Sequence, residues 1–364
     1  MTLKKFYKNK KILVVGHTGF KGSWLTSWLK ILGSKVMGVS FNIPSKPSNY
    51  IASKVNKKIK SKKIDIRNQK KLEKTIVQFK PDIVFHLAAQ ALVKKSFSET
   101  LNTWHTNLIG TINVLESFRN YKKKCSVIII TSDKCYKNFE IKKGYKENDI
   151  LGGIDPYSAS KASAEIAINS YVKSFFSKKQ NKIKIVSARA GNVIGGGDWG
   201  MDRLVPDCIK QWSKNKTVNL RNPNSTRPWQ HVLEAVGGYL VLGKKLTESQ
   251  NLHGHSFNFG PKNNEQKSVL NLVKEMKKNW TQARWIINSK NKKFYESSLL
   301  QLNSTKAFKI LKWKSVLSFK ETIEFVALWY KKYYDNSKRI PQFTKDQIKQ
   351  YILLAEKKKI NCLK

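Results

Sequence analysis

Tyr157 and Lys161 stand four residues apart, one helical turn, so a phenol and an ammonium share one face of the helix that carries them. Asp155 as N-cap and Pro156 in the first turn start that helix well. A cation beside a phenol favours the phenolate, which is a candidate general base. Spacing alone does not single out this pair, because Tyr7, Tyr50 and Tyr334 also have a lysine four residues on. Position does. Tyr157 follows the fifth predicted strand and lies 25 residues after Ser132, whose hydroxyl can share a proton with it. Next to Ser132 come Asp133 and Lys134, two more ionisable groups.

A second chemical signal opens the chain. The run KILVV (11–15) leads into Gly16-His17-Thr18-Gly19-Phe20-Lys21-Gly22, and an apolar helix follows from Ser23 to Leu32, which Gly33 ends. Glycines let the backbone turn sharply and approach a pyrophosphate seated on the amides of a helix N-terminus. The spacing is G-x-x-G-x-x-G rather than G-x-G-x-x-G. A carboxylate about 20 residues on would bind the adenosine ribose of NAD, but that place holds Ser40, Phe41 and Asn42. Asn42 can bond a ribose hydroxyl without repelling a 2′-phosphate, which leaves the choice between NAD and NADP open. Asp65, at the end of the third run, either meets an adenine edge or caps a turn.

These residues need a scaffold, and the apolar runs supply one. KILVV (11–15), KVMGV (35–39), KKIDI (62–66), DIVFH (82–86), SVIIIT (126–131) and KIVSAR (184–189) alternate with helix-length segments. Strands apolar on both faces and separated by helices predict an α/β fold with a doubly wound parallel sheet of Rossmann type. Residues 1–190 are expected to be mainly the cofactor-binding half, with later segments completing the sheet. Residues 191–340, richer in Gly, Asn and Pro loops, are expected to form a smaller mixed α/β substrate lobe. Ser318 and Glu321 predict a capping box ahead of Phe319, Ile323, Val326, Ala327 and Tyr330. Ile348, Tyr351, Ile352 and Ala355 repeat the helical spacing within 341–364, as a docked last helix or a frayed tail.

Composition narrows the classes. The chain has 364 residues with 40% hydrophobic and 11% aromatic content, too much apolar material for a disordered protein. Its net charge is +46, from 70 Lys plus Arg against 24 Asp plus Glu. The lysines are spread along the whole chain with no basic arm or nucleic-acid-binding signature, so no specific nucleic acid is expected. Anionic substrates would benefit from the field. Cys125, Cys135, Cys208 and Cys362 stand far apart, with no metal-ligand spacing, and a reduced cytoplasmic location without metal is expected. The apolar stretch after the basic N-terminus, Ile12 to Val15, is too short for a signal peptide, and no run is long enough to span a bilayer.

Taken together, the glycine loop, the string His86-Leu87-Ala88-Ala89-Gln90 and the set Ser132, Tyr157 and Lys161 resemble the extended short-chain dehydrogenase/reductases of the NAD-dependent epimerase and dehydratase family. The resemblance runs from residue 11 to about 330. The Asp133-Lys134 pair and the strings Ala190-Gly191-Asn192-Val193-Ile194-Gly195-Gly196-Gly197-Asp198-Trp199 and Arg227-Pro228-Trp229-Gln230-His231-Val232 are similar to the branch that dehydrates CDP-glucose. Alternatives within the fold are a nucleotide-sugar epimerase, or a 4,6-dehydratase for another nucleotide. The resemblance implies NAD, lined by Gly16, Thr18, Gly19, Phe20, Gly22, Asn42, Asp65, Ile66, Leu87, Ala88, Ala89, Gln90, Asn107, Tyr157 and Lys161. It implies that Tyr157 takes a proton from a sugar hydroxyl while hydride leaves for nicotinamide. Asp133 would then be the acid for a departing hydroxyl, and Lys134 either the base at C5 or a positioning group. Arg189, Arg203, Arg221 and Arg227 fall within one 39-residue stretch, and a guanidinium fork suits a nucleotide diphosphate. Arg203, Arg221 and Arg227 are expected on the pyrophosphate and Asn192 on the sugar or its phosphate. His231 is expected at the substrate, although it and Trp229 could equally be packed in the core. A homodimer or higher homo-oligomer, paired through helices beside the fourth and fifth strands, and a place in lipopolysaccharide O-antigen deoxysugar synthesis complete what the resemblance implies.

Overall fold

The computed structural model describes residues 1–178, 181–261, 267–288 and 299–364. Seven parallel strands make the central sheet: β1 (Lys11–Val15), β2 (Lys35–Ser40), β3 (Lys60–Lys63), β4 (Ile83–His86), β5 (Cys125–Ile130), β6 (Ile183–Ala190) and β7 (Ser256–Phe259). Their order is β7-β6-β5-β4-β1-β2-β3, so the winding reverses between β1 and β4. The crevice at the carboxyl ends of strands beside such a reversal is where ligands bind in open α/β sheets.

The strands read as unbroken apolar runs because each feeds two cores. Ile12 and Val14 point into the larger one with Trp24, Trp28 and Leu240, while Leu13 and Val15 point into the other with Leu72, Val114 and Ile168. Helices α1 (Phe20–Ile31) and α6 (Val232–Glu248) cover the first face. Helices α2 (Gln69–Phe79), α3 (Gly110–Glu116) and α4 (Pro156–Phe175) cover the second.

Two expectations shift. The third strand spans Lys60–Lys63 rather than 62–66, because its register on β2 pairs Met37 with Lys60 and Ser40 with Lys63. It is the sheet's polar edge, where lysines discourage further strand pairing. The seventh strand comes from SFNF, beyond the segments predicted as strands.

Further helices close the molecule: α5 (Leu204–Trp212), one over Val269–Asn279, α7 (Phe319–Asn336) and α8 (Ile340–Lys357). The capping box is present, with Ser318 Oγ accepting from the Glu321 amide and Glu321 accepting from the Ser318 amide. Residues 340–357 form a docked helix. Ile348, Tyr351 and Ala355 are buried, and the Tyr351 ring meets Trp28 of α1 edge-on at 5.6 Å. Among the described residues no helix is long and apolar enough to cross a membrane.

Candidate active site

The glycine loop lies where β1 meets α1 at the winding reversal. Gly16 has φ +96° and its Cα presses on the Leu87-Ala88 backbone, so a Cβ would collide there. A Cβ on Gly22 would strike the Gly16 carbonyl. Gly19, the N-cap of α1, has no side chain to offer, so the first amides of the helix are left for a ligand. Leu87 and Ala88 both donate to the Val15 carbonyl, which brings the Leu87-Ala88-Ala89-Gln90 backbone alongside the loop. This cradle fits the pyrophosphate of a dinucleotide.

The outer residues of the cradle divide into walls and supports. Thr18 donates from its hydroxyl to the Asn42 carbonyl at 2.6 Å, leaving the Asn42 side chain exposed at the end of β2. Phe20 packs half-buried against the larger core. The Asp65 carboxylate is held by Arg67, which donates to both its oxygens at 2.9–3.0 Å, and the guanidinium beside it keeps the carboxyl below the usual range. Asp65 also accepts from the Arg67 amide at 2.9 Å and so caps this turn. The Ile66 side chain is buried against Gly110. Asn107 lies in a π-turn (His105–Ile109) and donates to the Gln90 carbonyl at 3.0 Å and to Ser160 Oγ at 2.9 Å. It braces the cofactor wall, with both amide hydrogens already committed.

Ser132, Asp133 and Tyr157 converge at the carboxyl end of β5. Asp155 accepts from the Ser158 amide, starting α4 as predicted, and Tyr157 follows in its first turn. The Tyr157 hydroxyl meets Ser132, and Ser132 Oγ donates to Asp133 at 2.9 Å, giving a chain from phenol through hydroxyl to carboxylate. Burial pushes the Tyr157 phenol up to about 12, while the Ser132 hydrogen bond and the charge of Arg203 pull the other way. Lys161 is buried on the next turn. Burial lowers it to about 8, reinforced by the charge of Lys21 and opposed by Glu165. Against burial and the charges of Asp133 and Asp155, the groups that favour the Tyr157 phenolate in the free protein are Ser132 and Arg203, and Lys161, which the sequence suggested, is not among them. Lys134 is half-buried beside Asp133.

The far side of Asp133 rests on residues 191–192. Gly191 has no room for a Cβ, because its Cα abuts the Asp133 carboxylate. Asn192, at φ +51°, donates to Asp133 Oδ2 at 3.3 Å. Arg203 pairs with Asp198 at 2.7 Å, and its charge acts on Tyr157. Arg221 is exposed past the strand Val218–Leu220, and Arg227 is half-buried in the two-residue strand Thr226–Arg227. His231 departs from expectation. It is fully buried between Trp24 and Phe325, its Nδ1 accepts from the Leu233 amide, and burial lowers it to about 3. It caps α6 inside the core.

Two residues of the site carried a signal that went unread as function. Lys21, inside the glycine loop, acts electrostatically on Lys161, and Arg203 and Asp133 act on Lys21 in turn; burial brings it to about 8. Gly191 stands in a quoted string, and only the packed Asp133 explains its type.

The sheet, the cradle and the Ser132-Tyr157 contact beside Lys161 define an extended short-chain dehydrogenase/reductase. The profile of the family described as GDP-mannose 4,6 dehydratase matches residues 13–326, and the chain belongs to that family. It is 41% identical over 332 residues to the CDP-glucose 4,6-dehydratase of Salmonella typhimurium, covering 90% of this chain and 92% of that protein. Among solved structures it is similar to a UDP-glucuronic acid 4-epimerase from Bacillus cereus in complex with UDP-glucuronic acid and NAD, at TM-score 0.76 and 25% identity, covering 88% of this chain and 99% of that one. The dTDP-glucose 4,6-dehydratase of Bacillus anthracis in complex with NAD shares the fold at TM-score 0.72 and 19% identity, over 91% and 99% of the two chains.

Proposed function

We propose that this enzyme is a lyase that converts CDP-glucose to CDP-4-dehydro-6-deoxyglucose and water with tightly held NAD. The observation that carries the reading is the buried Asp133, held between Ser132 and Asn192 beside the phenol of Tyr157. A base alone suffices for oxidation at C4. Loss of water from C5 and C6 also needs a proton donor, and the burial of Asp133 beside Tyr157 supports that role for it. The 41% identity to a CDP-glucose 4,6-dehydratase supports the nucleotide.

NAD held in the Gly16–Gly22 cradle would supply a hydride acceptor for C4 and a hydride donor for C6, leaving net redox at zero. Tyr157, in contact with Ser132, takes the proton from the C4 hydroxyl. Asp133 gives a proton to the C6 hydroxyl, which departs as water once the C5 proton is removed. The base that removes the C5 proton returns it to C5 when C6 is reduced; Lys134 is either that base or a group that positions the loop for it, and Lys134→Arg separates the two: an arginine does not deprotonate, so only the positioning role survives it. Arg221 and Arg227 meet the diphosphate, and Asn192 faces the sugar.

The same reading makes the enzyme cytoplasmic and homo-oligomeric. Exposed Leu101, Ile109 and Ile166, on the helical face that includes α4, support pairing. Incubation with CDP-, dTDP-, GDP- and UDP-glucose tests it, with products weighed by mass spectrometry. Loss of one water from the CDP-sugar in preference to the others is expected. No dehydrated product from any of them refutes the dehydratase.

A further inference from the structure

Beneath the catalytic loop lies an ion pair that the proposed steps do not use. Glu165 sits on α4 one turn beyond Lys161, and Arg189 on β6 two residues before Gly191. Both side chains are 3% exposed and lie 2.8 Å apart. The other arm of Arg189 donates to the Tyr136 hydroxyl at 2.7 Å and to the Glu147 carbonyl at 2.9 Å. Glu165 accepts from the hydroxyl of Thr131, the residue before Ser132. Burial opposes the Glu165 charge, but the Arg189 guanidinium and the hydroxyls of Thr131 and Ser187 hold the carboxyl below its ordinary range.

The pair therefore touches every segment that brings a reacting group to the cleft. Thr131 and Tyr136 bracket Ser132, Asp133 and Lys134. Glu165 shares a helix with Tyr157 and Lys161, and Arg189 leads into the Gly191-Asn192 turn against Asp133. For stability alone such a pair is a poor device, since well-packed apolar residues of the same volume serve as well or better. A planar guanidinium with two arms fixes directions, which apolar packing does not.

We propose that Glu165 and Arg189 are positioning residues for the dehydration, locking the Ser132-Asp133 loop onto the Tyr157-Lys161 face of α4 through Thr131 and Tyr136. The inference rests on the dehydratase reading. Thr131→Val tests it with little risk to folding, because it removes one hydroxyl and leaves the ion pair intact. Displacement of a reacting group by about 1 Å can cost on the order of 10²-fold, so kcat on CDP-glucose should fall by roughly 10-fold or more while KM and melting temperature stay near wild type. Thr131→Ser restores the hydroxyl and should restore most of the rate. Glu165→Gln should lower kcat per folded molecule further.

A Thr131→Val enzyme with wild-type kcat overturns the inference. So does a Glu165→Gln enzyme that is less stable but turns over normally when folded. A wild-type enzyme that dehydrates no CDP-glucose overturns the functional reading first and this inference with it. An active wild type beside an equally active Thr131→Val overturns this inference alone.

Discussion

At the catalytic end of the cleft, Asp133 is 4% exposed, wedged between Ser132, Gly191 and Asn192, and its loop stands on the buried Arg189-Glu165 pair. Where we propose the diphosphate binds, Arg221 is exposed and Arg227 only half-buried, each beside a strand of two or three residues. One end is an extension of the seven-stranded sheet, and the other is built from loops. The contrast matches the demands placed on them. Proton transfer requires groups held in fixed geometry, whereas an arginine side chain can adjust to a diphosphate. Sequence change should thus be tolerated far better at the second end.

That contrast can be broken by substitution. Tyr157→Phe removes the base and should lower kcat by about 10²–10⁴-fold with binding retained, measured by turnover and by titration of the CDP-sugar. Gly191→Ala tests the tightness of the catalytic end: its Cβ would overlap the Asp133 carboxylate, and a loss on the order of 10²-fold in kcat is expected at a nearly unchanged KM. Wild-type kcat in that variant would mean the Asp133 loop can move. Arg227→Lys exchanges a fork for a point charge, and its effect should be confined to about a 10-fold rise in KM for the CDP-sugar. If kcat falls instead, Arg227 belongs to the catalytic end. The gentlest test is pH. Lys161 is lowered to about 8, chiefly by burial, so its ammonium is present below that pH and lost above it. The kcat/KM profile should therefore decline above about pH 8, and Lys161→Arg should abolish the decline.

The scaffold was largely legible from residue order, and so was the grouping of Ser132, Asp133 and Tyr157. Strands buried on both faces leave unmistakable apolar runs, and Asp155-Pro156 marks the start of the catalytic helix. Legibility failed where two roles share one residue type. Asp65 caps its turn through Arg67, a contact that residue order alone does not give, and His231 could bind or pack, where Trp24 and Phe325 show it packed. The third strand was set two residues late because its inward side chains, Ile64 and Ile66, follow the paired segment rather than lie in it. Arg189 did leave a trace. A lone guanidinium near the end of a run as apolar as KIVSAR requires a buried partner, but nothing in the order of residues says that the partner is Glu165.

The last helix has a bearing on how the molecule is made. Leu3 donates its amide to the Lys364 carbonyl, the Tyr7 hydroxyl bonds Leu240, and Leu363 with Tyr351 covers Trp28 of the helix behind the glycine loop. Trp28 is therefore covered only once α8 and Leu363 have been made, and a chain cut before α8 would keep every residue of the cradle while losing Tyr351 and Leu363 from the face of Trp28.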